Sequence, residues 1–307
     1  MPRFARHLLL ILLPVVVIFA VLPGVYSNHL LLFNFIVFMT LAQGINVIYG
    51  FTGYLPFGYV GFFGAGAYGF SLMVLHLHAP PLLVALPVGA AAAVALALLL
   101  TPLFRLSGAY FSIANLAAAL ALLQVVSNPN LEEITKGPYG ISLSGVFNPT
   151  LSYATALAIL ALTLGLVIYL RNSHFGMALK AIREDPISAG MAGINVVRER
   201  IIAWLLSALV AGLAGGVFAW NVSVFYPETV FSVEFTIFAI VFALFGGNAT
   251  VTGPILGVVI LYGIYNAVGI STPQYFQLLY GLLIMGLVLF LPNGLVSLLQ
   301  RWGIDVP

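Results

Sequence analysis

The 307-residue sequence contains no cysteine, which excludes disulfides, thiolate metal sites and cysteine nucleophiles. It is almost as poor in charge: only 6% of its residues are Asp, Glu, Lys or Arg. It also lacks the G-x-x-x-x-G-K-[ST] phosphate loop; neither of its lysines, Lys136 or Lys180, sits in such a context. Energy from ATP would therefore have to be supplied by another chain. No Ser–His–Asp arrangement or paired buried carboxylates can be traced, so an intramembrane enzyme is not expected. His76 and His78 in "HLHAPP" have no carboxylate or cysteine beside them, and two histidines alone do not make a metal site. They read as a solvated interfacial pair, and no cofactor is expected in the chain itself.

What is abundant is apolar sequence. The chain is 62% hydrophobic with a mean hydropathy of +1.15, well above a soluble domain. Backbone groups in lipid must be satisfied internally, which leaves a helix bundle or a closed barrel. Runs such as "LLVALPVGAAAAVALALLL" (82–100) do not alternate, so they read as helix rather than barrel strand. The fold class is all-α, a polytopic membrane bundle of about ten segments at roughly 20 residues each. The spans read as 8–26, 30–49, 55–75, 81–104, 109–127, 151–170, 201–222, 235–247, 254–271 and 275–291. Segment 55–75 is Gly-broken and 235–247 is short, so either could be re-entrant or packed inside the bundle. With no domain boundary and no low-complexity tail, residues 1–307 form one transmembrane domain.

Charge sorting orients it. With ten crossings and a cytoplasmic N-terminus, nine of the ten Lys and Arg residues fall inside, as the positive-inside rule requires. Those nine are Arg3, Arg6, Arg105, Arg171, Lys180, Arg183, Arg198, Arg200 and Arg301; Lys136 alone lies outside. Both termini are then cytoplasmic. Two loops are long enough to carry function: an outer one, about 128–150, and an inner one, about 171–200. The inner loop holds eight of the eighteen charged residues.

Within that loop the sequence predicts two short helices. The first, about 174–184, places Met177, Ala178, Ala181 and Ile182 on an apolar face opposite Lys180, Arg183 and Glu184. The second, 186–192, opens with Asp185 as N-cap and Pro186 at its first position, and Gly193 stops it. Topology alone needs Lys and Arg, not acidic residues and capped helices. The segment reads as a docking surface for another protein.

These residues carry a resemblance. "GMALKAIREDPISAGMAGINV" (176–196) resembles the coupling loop of the LivM-type branched-chain amino acid ABC-transporter permeases. Five other stretches are similar to segments of that family, in order: "TGYLPFGYVGFFGAGAY" (52–68), "GAYFSIANLA" (108–117), "TKGPYGIS" (135–142), "FGGNATVTGPILG" (245–257) and "YGLLIMGLVLFLPNGL" (280–295). Pro56, Tyr59, Asn115 and Leu291 depart from residues common in the family. The resemblance implies a permease that pairs with a second, LivH-like permease, two cytoplasmic ATPase subunits that bind ATP-Mg, and an extracytoplasmic binding protein. It implies alternating access in a bacterial or archaeal plasma (inner) membrane, with lipid around the bundle and no nucleic-acid partner. Ile187 and Met191 would enter the ATPase groove, with Lys180, Arg183, Glu184, Asp185, Pro186 and Gly193 shaping the contact.

Other candidates come from residue type. Gln43, Asn46, Tyr59, Asn115, Gln124 and Asn221, with Asn266, are polar groups inside spans, where a polar side chain is costly and invites a role in the translocation path. Each could equally hydrogen-bond a neighbouring helix. Gly58, Gly61, Gly64, Gly66 and Gly69, like Gly212, Gly215 and Gly216, suit close helix packing. Gly246, Gly247, Gly253 and Pro254 mark a broken helix or turn. Glu132, Glu133, Glu228 and Glu234 are candidate contacts for the binding protein. The alternatives are a urea or short-amide importer of the same kind, or a stand-alone secondary carrier or channel. Ion coupling calls for mid-membrane charge, which the span list lacks.

Overall fold

The computed structural model describes residues 11–271 together with 281, 282, 285, 286 and 294–296. The tenth expected segment, 275–291, lies almost wholly outside the described residues, as do Arg3, Arg6 and Arg301. The described chain is helical, with helices α1 (Leu13–Val21), α2 (His29–Ile45), α3 (Val60–Leu77), α4 (Leu86–Leu99), α5 (Ala109–Val126) and α6 (Pro149–Asn172). The short helices α7 (His174–Glu184) and α8 (Pro186–Met191) follow, then α9 (Val196–Val222), α10 (Val233–Gly246) and α11 (Thr252–Ser271).

Among the described residues seven helical stretches are long and apolar enough to cross a membrane: His29–Gly50, Val60–Leu77, Pro81–Arg105, Ala109–Val126, Pro149–Asn172, Val196–Val222 and Pro227–Gly246. Two further apolar helices, Leu13–Gly24 and Thr252–Ala267, are shorter. The Gly-rich segment is an unbroken helix from Val60 onward; only residues 53–59 before it are irregular. The short segment 235–247 gains length from the turn Pro227–Val230 that leads into α10.

Glycine and alanine assemble the centre. α9 packs against α3 and α4, and α3 against α4, more extensively than any other helices meet. A Cβ on Gly66 would run into the Gly212 backbone, and one on Gly215 into the Phe63 carbonyl. This close approach supplies dispersion contact where lipid offers no hydrophobic drive. Gly61 likewise meets Ala119, and Gly64 faces the Phe231 ring. Trp204 locks the arrangement, donating from Nε1 to the Ala97 carbonyl at 2.9 Å and packing on Phe62, Phe104 and Phe111. A second aromatic cluster, Phe38 with Phe235, Phe242 and Tyr262, joins α2 to α10 and α11. Such ring pairs contribute about 0.5–1.5 kcal/mol each beyond their area.

One feature departs from an all-helical fold. Ile141–Ser142 (β1) pairs antiparallel with Val224–Phe225 (β2), and the Leu143 N–H donates to the Ser223 carbonyl at 2.6 Å. This ladder ties the 128–150 loop to the end of α9. The 27 residues of α9 span about 40 Å at the α-helical rise, and charge sorts along them. Arg198 and Arg200 sit in the first turns with the 171–200 loop, while Glu228 follows the far end.

Candidate functional site

The 171–200 loop folds from local signals. The Ser173 hydroxyl caps α7 by accepting from the Gly176 N–H at 3.1 Å. Asp185 caps α8, its carboxylate accepting the Ile187 N–H at 2.9 Å and the Ser188 hydroxyl. Those two bonds, the hydroxyl first, hold the Asp185 pKa below its ordinary value. Pro186 occupies the first turn, where no N–H is needed. Gly193 closes the helix at φ +87°, a left-handed stop that suits glycine.

Packing then decides which side chains are free. Ala189 is buried, whereas Ile187 is 74% and Met191 79% exposed. One turn apart, these two large apolar side chains project from the end of the molecule. The apolar face of α7 matches the expected one only at Ile182. Gly176, Leu179 and Ile182 are buried, with Phe175 packed on the core, while Met177 and Ala181 face outward. The reason is contact: a Cβ on Gly176 would strike the Leu170 carbonyl, so this edge presses onto the end of α6.

Three basic residues of the loop reach back to the chain around residue 50. Arg183 donates from a terminal nitrogen to the Gly50 carbonyl at 2.5 Å, where the helix that began as α2 ends. Lys180 stands 5.6 Å from the centre of the Phe51 ring. Burial, then the charges of Arg171 and Arg183, hold its pKa below that of an ordinary lysine. The guanidinium of Arg200 stacks at 4.6 Å from the centre of Tyr54. Three cations thus contact Gly50, Phe51 and Tyr54, at the start of the irregular 53–59 segment. Glu184 and Pro186 are exposed and contribute no such tie.

The polar residues inside the spans do not converge on one conduit among the described residues. Gln43 and Asn46 are fully buried and come together on one turn. Gln43 donates to the Val251 carbonyl at 2.6 Å; Asn46 donates to the Thr250 carbonyl at 2.7 Å and accepts from the Ala249 N–H at 2.8 Å. That turn connects α10 to α11. Gly246 lies against the Gly253 and Pro254 backbone, and Gly247 has φ +124°. Tyr59 donates to the Ser207 carbonyl at 2.8 Å, and Ser207 donates to the Gly44 carbonyl at 2.7 Å. Asn115 accepts from the Gly58 N–H at 2.8 Å. Asn221 donates to Ser152 at 2.8 Å, and Asn266 to the Tyr262 carbonyl of its own helix at 2.8 Å. Gln124 alone faces outward, on the exposed side of α5 with Tyr110, Ile113 and Leu120.

At the opposite end Glu132, Glu133, Glu228 and Glu234 are all exposed. Glu228 and Glu234 lie in the first turns of their helices, where the dipole favours a carboxylate. His76 donates from Nε2 to the Ile134 carbonyl at 2.9 Å, bracing the outer loop, while His78 ends α3 in a left-handed conformation. Sequence reasoning missed the partners of Gln43, Asn46, Arg183 and Arg200. Each partner lies far away in the chain, and no local spacing announces it.

Comparison with known proteins agrees with this architecture. Residues 28–289 match the family model described as the permease component of the branched-chain amino acid transport system. The chain is 29% identical over 294 residues to the high-affinity branched-chain amino acid transport system permease protein LivM of Escherichia coli K12, covering 85% of this chain and 68% of that one. It is 26% identical over 305 residues to a probable branched-chain amino acid transport permease protein LivH of Methanocaldococcus jannaschii, covering 89% and 90%. A shorter match, 31% over 146 residues, covers 45% of this chain and 40% of the fructose import permease protein FrcC of Rhizobium meliloti. No solved structure matches the chain. With its apolar spanning helices, the chain is an integral protein of the plasma membrane. It belongs to the family of branched-chain amino acid transport system permease components.

Proposed function

We propose that this chain is the membrane-spanning subunit of an ABC importer for branched-chain or related hydrophobic amino acids, moved by separate ATPase subunits. One observation carries the reading: a capped two-turn helix that holds Ile187 and Met191 in solvent and is tied back to the helix bundle by Arg183 on Gly50. Exposed apolar side chains on a rigid projection suit a groove in a partner. A push on α8 passes to α7, against which it packs, then through Arg183 and Lys180 to residues 50–51. From there it reaches the irregular 53–59 segment, where α2 and α3 can change their relative angle. Asn46 extends the linkage to the turn between α10 and α11. The basic end is on this reading cytoplasmic, both termini included, and the acidic end receives a binding protein.

A second permease, LivH-like, completes the path. Gln43, Asn46, Tyr59 and Asn221 are spent on other side chains and on backbone, whereas α4 and α5 show broad apolar faces. Hydrophobic amino acids follow from the LivM and LivH relatives and suit such walls. Every charged residue among the described residues lies in a loop, a loop helix or the end turns of a long helix, which weighs against an ion-coupled carrier.

The test replaces Ile187 and Met191 together with Asp. ATPase co-purification and ATP-driven leucine uptake should be abolished while the chain still inserts in the membrane. Retained assembly and uptake would sink the coupling role, and uptake by the isolated chain in liposomes without ATP would establish a carrier instead.

A further inference from the structure

Between the C-terminal turns of α4 and the first turns of α9 lies a groove of about 500 Å³, lined by Leu98, Phe104, Arg105, Val197, Arg200 and Ile201 among others. Its position is at the basic end, where the apolar surface of the spans meets the charged loop. Leu98 is 54%, Leu99 73% and Val197 63% exposed, so one wall continues directly into the membrane-facing surface of α4. Two arginines, Arg105 and Arg200, are also among its lining residues. Arg200 is held in place by its stack on Tyr54, and its Nε is buried without a hydrogen-bond partner among the described residues. No carboxylate lines the groove; Glu199, the acidic neighbour of Arg200, is not among its lining residues.

Two arginines that line one groove with no acid among its lining residues leave a net positive charge there. An anion in the groove offsets that charge. The shape identifies which kind. A free phosphate would use the arginines but gain nothing from Leu98, Val197 and Ile201, and it would leave most of the volume to water. An anionic phospholipid uses both halves, because basic pockets between membrane helices hold headgroup phosphates while acyl chains cover the apolar wall. We infer that this groove is a binding site for one anionic phospholipid, its phosphate between Arg105 and Arg200 and an acyl chain along Leu98 and Ile201. The site is independent of the transported substrate. It anchors the start of α9, the helix that follows the coupling loop, to the leaflet at the basic end.

Native mass spectrometry of the full chain, purified in a mild detergent with equal phosphatidylglycerol and phosphatidylcholine, tests the assignment. The unaltered chain should retain one phosphatidylglycerol preferentially. Arg105→Gln with Arg200→Gln should lower that preference by roughly thirtyfold, since each basic residue near a lipid surface contributes about fivefold. Leu98→Glu, which keeps both arginines and alters an exposed side chain, should lower it as well and covers the case in which the double variant fails to fold. Millimolar inorganic phosphate should leave the lipid in place. Unchanged retention in the Leu98 variant and in a folded arginine variant would overturn the proposal. Displacement by phosphate would also overturn it, as would loss of ATPase co-purification with the lipid count unchanged.

Discussion

The two ends of the bundle are built on opposite plans. At the basic end, the loop projects: α7 and α8 are capped by Ser173 and Asp185, and Ile187 and Met191 are left bare. At the acidic end, the loop is closed down. The β1–β2 ladder, the bond from Trp220 Nε1 to the Val146 carbonyl at 2.8 Å, and Thr135 on the Val126 carbonyl bind the outer loop down. A projecting, internally stiff element transmits force, whereas a loop clamped along its length presents a fixed surface. The difference teaches that one end of the bundle exposes a stiff apolar projection while the other presents a closed surface.

Substitutions can break or sharpen that contrast. The largest effect is expected at the seam that both ends share. Gly66→Leu drives a side chain into the Gly212 backbone and should cost about 3 kcal/mol, read as a collapse of thermal stability in detergent. Next is the link between the loop and the bundle. Arg183→Met removes a charged hydrogen bond to Gly50, and about tenfold less uptake per ATP hydrolysed is expected. ATPase co-purification should persist, because Ile187 and Met191 are untouched; its loss would place Arg183 in the docking surface itself.

Smaller changes belong to the acidic end. Neutralising Glu132, Glu133 and Glu228 to Gln should slow association of the binding protein a few-fold at low salt and less at high salt. A salt-independent loss would point instead to misfolding of the outer loop. The smallest effect concerns Asp185, whose folded pKa is depressed. The sign is fixed by linkage: its stabilisation of α8 is complete above the ordinary carboxylate value and disappears as pH falls through the depressed one. Amide exchange of 187–191 should therefore show a rise in opening below about pH 4. Asp185→Asn, which keeps a cap, should remove the pH dependence.

Legibility followed the range of the interaction. Asp185–Pro186 and Gly193 announce α8 to within a residue because a cap satisfies backbone groups only a few positions away. The runs that cross the membrane are equally plain, since lipid demands about twenty apolar residues in a row. The buried face of α7 was misjudged: residue type favoured Met177 and Ala181, but the approach to Leu170 turned Leu179 inward. Gln43 and Asn46 looked like polar groups seeking a path. They hold a turn more than 200 residues further along the chain.

Composition and local pattern were thus sufficient for the membrane bundle and the capped helices of the 171–200 loop. Each depends on a property that acts within a few residues or on the average of many. Which side chains stay exposed, which cations reach residues 50–54, and how Arg105 and Arg200 come to line one groove were settled by packing. Those arrangements depend on backbones that approach only after the helices are assembled, and no spacing along the chain encodes them.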